Sequence, residues 1–194
     1  MSQALRHAGL LATAASAVLA IATAASAQQA SQDIAEPPAC RNNKGEDVRF
    51  VVRDGSGASI AAGMAARDPS GAPVVFRSNY PAAPLQFQRF IDRHECAHHQ
   101  TGDVDRPHPP RNGPEHLMNE SVSDCVAILR MRDEDGMDAD AFRAVTSALR
   151  DSMQGVGFPE ISISSRISNI TNCFENHAGA GQLIEHVLEQ RGLN

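Results

Sequence analysis

His94 and His98 stand four residues apart, with Glu95 directly after the first, in the run His94-Glu95-Cys96-Ala97-His98. On an α-helix, residues four apart share a face, so both imidazoles can bind a single zinc ion. Glu95 then lies beside the metal rather than on it, where a carboxylate can take a proton from a metal-activated water. Further along, Asn119-Glu120-Ser121-Val122-Ser123-Asp124 sets Glu120 and Asp124 on one helical face as well. A catalytic zinc site uses three protein ligands and leaves one position open for water. Two histidines and one glutamate make such a set, with Glu120 as the third ligand. Ligand imidazoles donate their other ring N–H to a carboxylate, and Asp124 is placed to accept it from His94 or His98.

Those side chains need two helices to carry them, and the periodicity supplies both. Residues 85–101 repeat apolar positions at helical spacing through Phe87, Phe90, Ile91 and Ala97, after Pro81 and Pro84 punctuate the approach. A Pro-, Asp- and Arg-rich loop over residues 102–113 follows. Pro114 then suits the first position of a helix over residues 114–132, with Glu115 favouring its N-terminal dipole. Leu117, Ser121, Cys125, Ile128 and Leu129 are the packing positions expected on it. Asp138 or Asp140 caps a third helix bearing Phe142, Val145, Leu149 and Met153, which residues 155–159 break. A last helical region holds Ile163, Ile167, Ile170 and Phe174, then Leu183, Ile184, Val187 and Leu188, with Gly192 as its stop.

Upstream, residues 48–52, 59–66 and 72–77 read as strands. Asp54-Gly55 ends the first, and Asp68-Pro69-Ser70-Gly71 is a turn between the other two. Strands first and helices after give an α+β class: a small N-terminal β-sheet followed by a helical bundle.

The start of the chain sets the expected compartment. Arg6, an Ala/Leu/Val run and Ala25-Ser26-Ala27 read as a cleaved signal peptide over residues 1–27, so the protein is expected to be exported, periplasmic or secreted. Residues 28–45 are polar and Pro-containing and read as a flexible segment, leaving 46–194 as a single domain. Four cysteines in an exported chain suggest two disulfides, with Cys125–Cys173 the favoured pair. Cys96 faces away from the ligand side of its helix and reads as structural. The net charge of −6, with Lys44 the only lysine, argues against nucleic acid or an anionic membrane surface as partner. With the signal removed, no membrane span is expected. Without Trp and with Tyr80 as the only Tyr, a deep aromatic groove for sugar or lipid is not expected.

The pairing of His94-Glu95-x-x-His98 with Asn119-Glu120-x-x-Ser123-Asp124 resembles the gluzincin branch of the zincin metallopeptidases, over residues 85–132. The resemblance implies zinc (Zn2+) on His94, His98 and Glu120, Glu95 as general base and then acid, and Asp124 supporting a ligand imidazole. It also implies a minimal zincin-like fold, a peptide or protein substrate, and an edge strand, placed at residues 72–77, that pairs with the substrate. The metzincin pattern fails, because Thr101 and Val104 occupy its glycine and third-histidine positions. His99, His108 and His116 remain as spare imidazoles, read as surface residues or weak sites for extra metal. Tyr80, Arg166, His177 and His186 are open candidates for the donor that stabilises an oxyanion, and the sequence does not choose among them. The reading is zinc-dependent hydrolysis of peptide bonds. The alternative is a zincin-like domain with little turnover that binds zinc and a protein partner.

Overall fold

The computed structural model describes residues 34–53 and 60–193. The signal peptide and the Asp54-Gly55 strand end lie outside those residues. Three strands, β1 (Arg49–Arg53), β2 (Ala62–Arg67) and β3 (Pro73–Ser78), precede five helices: α1 (Leu85–Gln100), α2 (Pro114–Asp133), α3 (Ala139–Gly155), α4 (Glu160–Asn176) and α5 (Ala180–Arg191). The class is α+β, as the order of periodicities predicts.

The sheet has the order β1-β3-β2, with β1 parallel and β2 antiparallel to β3. Asp68 makes the β2–β3 turn: its Oδ1 accepts from Ser70 N at 2.8 Å and Ala72 N at 3.1 Å, while Gly71 takes the left-handed backbone at φ 86. This topology corrects the expected substrate edge. Residues 72–77 form the central strand, with a partner on each side; β1 and β2 are the edge strands among the described residues, and β2 is the one beside Glu95. The contiguous apolar run Pro73-Val74-Val75, buried throughout, is what a strand enclosed by neighbours requires.

α1 lies between the sheet and the helices, packed on β2 and β3 on one side and on α2 and α3 on the other. Phe87, Phe90, Ile91 and Ala97 enter a core shared with Val126, Ile128, Leu129, Val145, Leu149, Ile163 and Ile170. Each fully buried Ile or Leu there contributes roughly 1.5–3 kcal/mol by leaving water. Leu117, expected to pack, is instead 55% exposed. The helical stretch expected at the C-terminus divides into α4 and α5, and Gly192 ends α5 at φ 65. Asp138, not Asp140, caps α3, accepting from the backbone of Asp140 and Ala141.

Being enclosed, α1 must also satisfy buried polar groups. Asp92 accepts from Arg77 Nη2 of β3 at 2.9 Å and from the Tyr80 hydroxyl at 2.9 Å, and all three residues are buried. Arg77 also donates to Ala35 O, and Ala35 N donates to Gln88 Oε1 of α1. The stretch 28–45, read as flexible, is therefore held by specific contacts in its described part from residue 34 onward. Cys40–Cys96 ties the same stretch to the back of α1, and Cys125–Cys173 ties α2 to α4. Both bridges suit an exported protein. No helix among the described residues is long and apolar enough to cross a membrane.

Loops of 56 and 48 residues closed by these bridges remove roughly 4 kcal/mol each of unfolded-chain entropy. Alkylation of the denatured, unreduced protein should therefore find no free thiol, and four after reduction. Replacing Cys125 and Cys173 together by Ser should lower stability by about 2–5 kcal/mol in urea titration. Four reactive thiols before reduction would contradict this arrangement.

Candidate metal centre

His94 and His98 project from one face of α1, one turn apart, with their rings edge-on at 81° and their Nε2 atoms 3.1 Å apart. Glu120 arrives from α2 and closes the group. One of its oxygens is 3.4 Å from His94 Nε2 and the other 3.5 Å from His98 Nε2. Bonds of about 2.0–2.1 Å to a tetrahedral ion require ligand atoms roughly 3.3–3.4 Å apart. The donor set and its spacing thus fit a metal ion, and among the described residues this is the one such group of His, Cys, Asp and Glu. The sequence-expected ligands His94, His98 and Glu120 come together.

The other ring nitrogens explain the orientation. His94 Nδ1 is 2.8 Å from Asp124 Oδ1, so Asp124 supports His94 and not His98. Asp124 is itself fully buried and receives Arg166 of α4, Nε on Oδ2 at 2.6 Å and Nη2 on Oδ1 at 2.8 Å. His98 Nδ1 has a different carboxylate, Asp103 Oδ2 at 3.0 Å, with Ser123 Oγ at 3.1 Å. Thr101 Oγ1 donates to the same Asp103 oxygen, and Arg191 of α5 pairs with Asp103 from the far side at 2.7 Å. Carboxylates on both Nδ1 atoms place the protons there, leaving both Nε2 lone pairs turned toward Glu120.

Without a cation the group holds protons instead. Burial disfavours charge on the imidazoles, but hydrogen bonds donated to Asp124 and Glu120 outweigh it and raise His94 to about 10. Asp103 and Glu120 raise His98 to about 9 in the same way. Burial would lift Glu120, yet the two imidazoles hold it well below the usual carboxylate range. A folded-state histidine pKa above the unfolded 6.5 stabilises the metal-free protein below that value. This contribution is lost as pH rises through 9 to 10. A metal must displace the same protons, so its affinity falls as pH falls.

Glu95 lies next to the group without joining it. Its Oε2 accepts from Ala65 N of β2 at 2.7 Å. That N–H points away from β3, so by the two-residue period of a strand Gly63 turns its backbone to the same open edge. Gly63 also leaves the room Glu95 needs: a Cβ there would lie 2.4 Å from Glu95 Cγ and 2.8 Å from Ile91 Cγ2. Gly63, Met64 and Ala65 line a cleft of about 320 Å³ with His94, Glu95, His98 and Glu120. Beside it, a groove of about 800 Å³ runs between α2 and the α3–α4 turn, with Leu117, Val156, Phe158 and Ile161 on its walls. Glu120 and His116 border both.

The remaining candidates separate clearly. Tyr80 is buried on Asp92; His177 is exposed at the end of α4, and His186 is exposed beside Gln190. None of these three lines the cleft or the groove. Arg166 does border the groove, 4.0 Å from Glu120 Oε2, with Nε and Nη2 engaged by Asp124. His99 is not a surface residue: it is buried against β3, its Nε2 3.0 Å from Val74 O. His108 and His116 line the cleft. Sequence reasoning did not foresee Asp103 as the partner of His98, nor the role of Gly63. Asp103 had a usable signal, as an acidic residue one loop turn after His98. No local pattern marks Gly63, because its role depends on a contact with a distant helix.

No family model, curated protein or solved structure matches this chain.

Replacing His94, His98 or Glu120 by Ala should each abolish stoichiometric binding of a divalent metal, whereas His99→Gln should not. Asp124→Ala and Asp103→Ala should each weaken binding about 10–100-fold. Calorimetry in buffers of different ionisation enthalpy should show proton release on metal uptake and weaker binding at pH 6 than at pH 8. Full retention by the Glu120 variant would remove Glu120 from the ligand set.

Proposed function

We propose that this protein is a zinc-dependent peptidase of the gluzincin type. The observation that carries the reading is Glu95, held beside the His94, His98 and Glu120 group by Ala65 N yet outside it. A purely structural ion has no use for such a neighbour, and structural zinc sites are closed by four protein ligands, usually with Cys. Here all four cysteines are in disulfides, and His94, His98 and Glu120 line a cleft.

Zinc bound there supplies Lewis acidity and lowers the pKa of water. With Oε2 hydrogen-bonded to β2, Glu95 keeps Oε1 to take a proton from the attacking water and deliver it to the amide nitrogen that leaves. Asp124 and Asp103 hold the two imidazoles in the ligating tautomer throughout. The open edge of β2 at Gly63 and Ala65 offers backbone groups to an extended peptide, the pairing mode of strand addition. The apolar walls of the neighbouring groove suit a large apolar side chain next to the cleaved bond. Two disulfides and the N-terminal sequence support action outside the cytoplasm.

Glu95→Gln tests this directly. The variant should load zinc like the wild type and keep its thermal midpoint, while cleavage of a peptide library falls a hundredfold or more. Wild-type protein that cleaves nothing in that library, and is matched by the variant in every assay, would favour a zinc-dependent binding module instead.

A further inference from the structure

His116 stands one helical turn before Glu120 on α2, and its ring borders both the cleft over the metal group and the apolar groove beside it. Its Nε2 is 4.0 Å from Glu120 Oε1, beyond hydrogen-bond reach. Its Nδ1 is buried and has no hydrogen-bond partner. Buried N–H groups without a partner are rarer than buried acceptors without one, so the proton of the neutral ring belongs on Nε2. The ring therefore offers an N–H beside Glu120, on a residue that borders both cleft and groove, and it makes no hydrogen bond among the described residues. α2 also fixes it relative to Glu120, the rigid mounting that a reacting group needs.

We propose that His116 is the residue that donates to the carbonyl oxygen of the peptide bond being cut. The inference rests on the peptidase reading and supplies the donor that reading lacks. As the water oxygen bonds to the carbonyl carbon, negative charge gathers on the carbonyl oxygen, and His116 Nε2–H hydrogen-bonds to it. The water's proton passes to Glu95 and then to the amide nitrogen as the C–N bond breaks; His116 keeps its own proton throughout. A donor already in place costs no reorganisation when the charge develops, which is why such groups are worth so much in rate. Arg166, the other candidate beside the site, has two of its nitrogens committed to Asp124. His108 sits on the loop between Pro107 and Pro109 rather than on a helix.

The test compares zinc-loaded wild type with His116→Phe and His116→Gln. His116→Phe should keep one zinc per chain and its thermal midpoint, lose about 10²–10³-fold in kcat, and change little in KM. His116→Gln, whose amide N–H reaches about as far as imidazole Nε2, should recover part of the loss. Independently of turnover, affinity for a peptide phosphonate, which mimics the charged tetrahedral species, should fall in His116→Phe and recover in part in His116→Gln. Nitrogen NMR of the metal-free protein should find the His116 proton on Nε2. Cleavage by His116→Phe at the wild-type rate would overturn the proposal while leaving the peptidase reading intact. Loss of zinc from His116→Phe would make His116 a fourth ligand and overturn it too. A wild type that cleaves no peptide would sink both.

Discussion

Two imidazole nitrogens 3.1 Å apart, with lone pairs facing each other and a carboxylate closing the triangle, require a positive charge between them. A proton or a metal ion can supply it; a neutral, empty group cannot. The surrounding structure makes this requirement permanent. Asp124 and Asp103, from different segments, hold the two Nδ1 protons, and Arg166 and Arg191 anchor those carboxylates in turn. Neither ring can rotate away without leaving a buried carboxylate short of a donor. Such a loss typically costs more than the net value of the bond itself. The site is preorganised by charge alternating outward from it: cation, imidazole, carboxylate, guanidinium.

That alternation draws on four of the five helices, which is why a small domain invests so much polar burial around α1. α1 carries both imidazoles and Glu95, α2 brings Glu120 and Asp124, α4 brings Arg166, and α5 brings Arg191. The two disulfides and the Arg77–Asp92–Tyr80 cluster act one step further out. They tie α1 to the N-terminal segment and to β3, and α2 to α4, so the two helices that carry the ligands are each held from outside. β2 adds the remaining constraint, since only a glycine at position 63 lets the strand approach closely enough for Ala65 N to hold Glu95.

What could be read from the sequence were relations within single elements. His94 with His98 and Glu120 with Asp124 are each one helical turn apart, so spacing alone places them on common faces. The ends of α1 and α2, an aspartate cap on α3 at Asp138 or Asp140, and the Gly192 stop follow from local backbone chemistry in the same way. Relations between elements were not legible. The order β1-β3-β2 made residues 72–77 central instead of an edge, and nothing in a strand's own alternation states how many neighbours it has. Asp103 found His98 only because Gly102, at φ 77, turns the chain back after α1. Leu117 has the apolar character of a core residue, yet it is exposed and lines the groove.

The central claim is a divalent ion held by two imidazoles and one carboxylate with a position left open. A crystal of the zinc-loaded protein, measured at the zinc absorption edge, tests it most directly. The account predicts one full anomalous peak about 2.0–2.2 Å from His94 Nε2, His98 Nε2 and a Glu120 oxygen, with no fourth protein ligand. A peak elsewhere, or a fourth side chain bound to the ion, would contradict it.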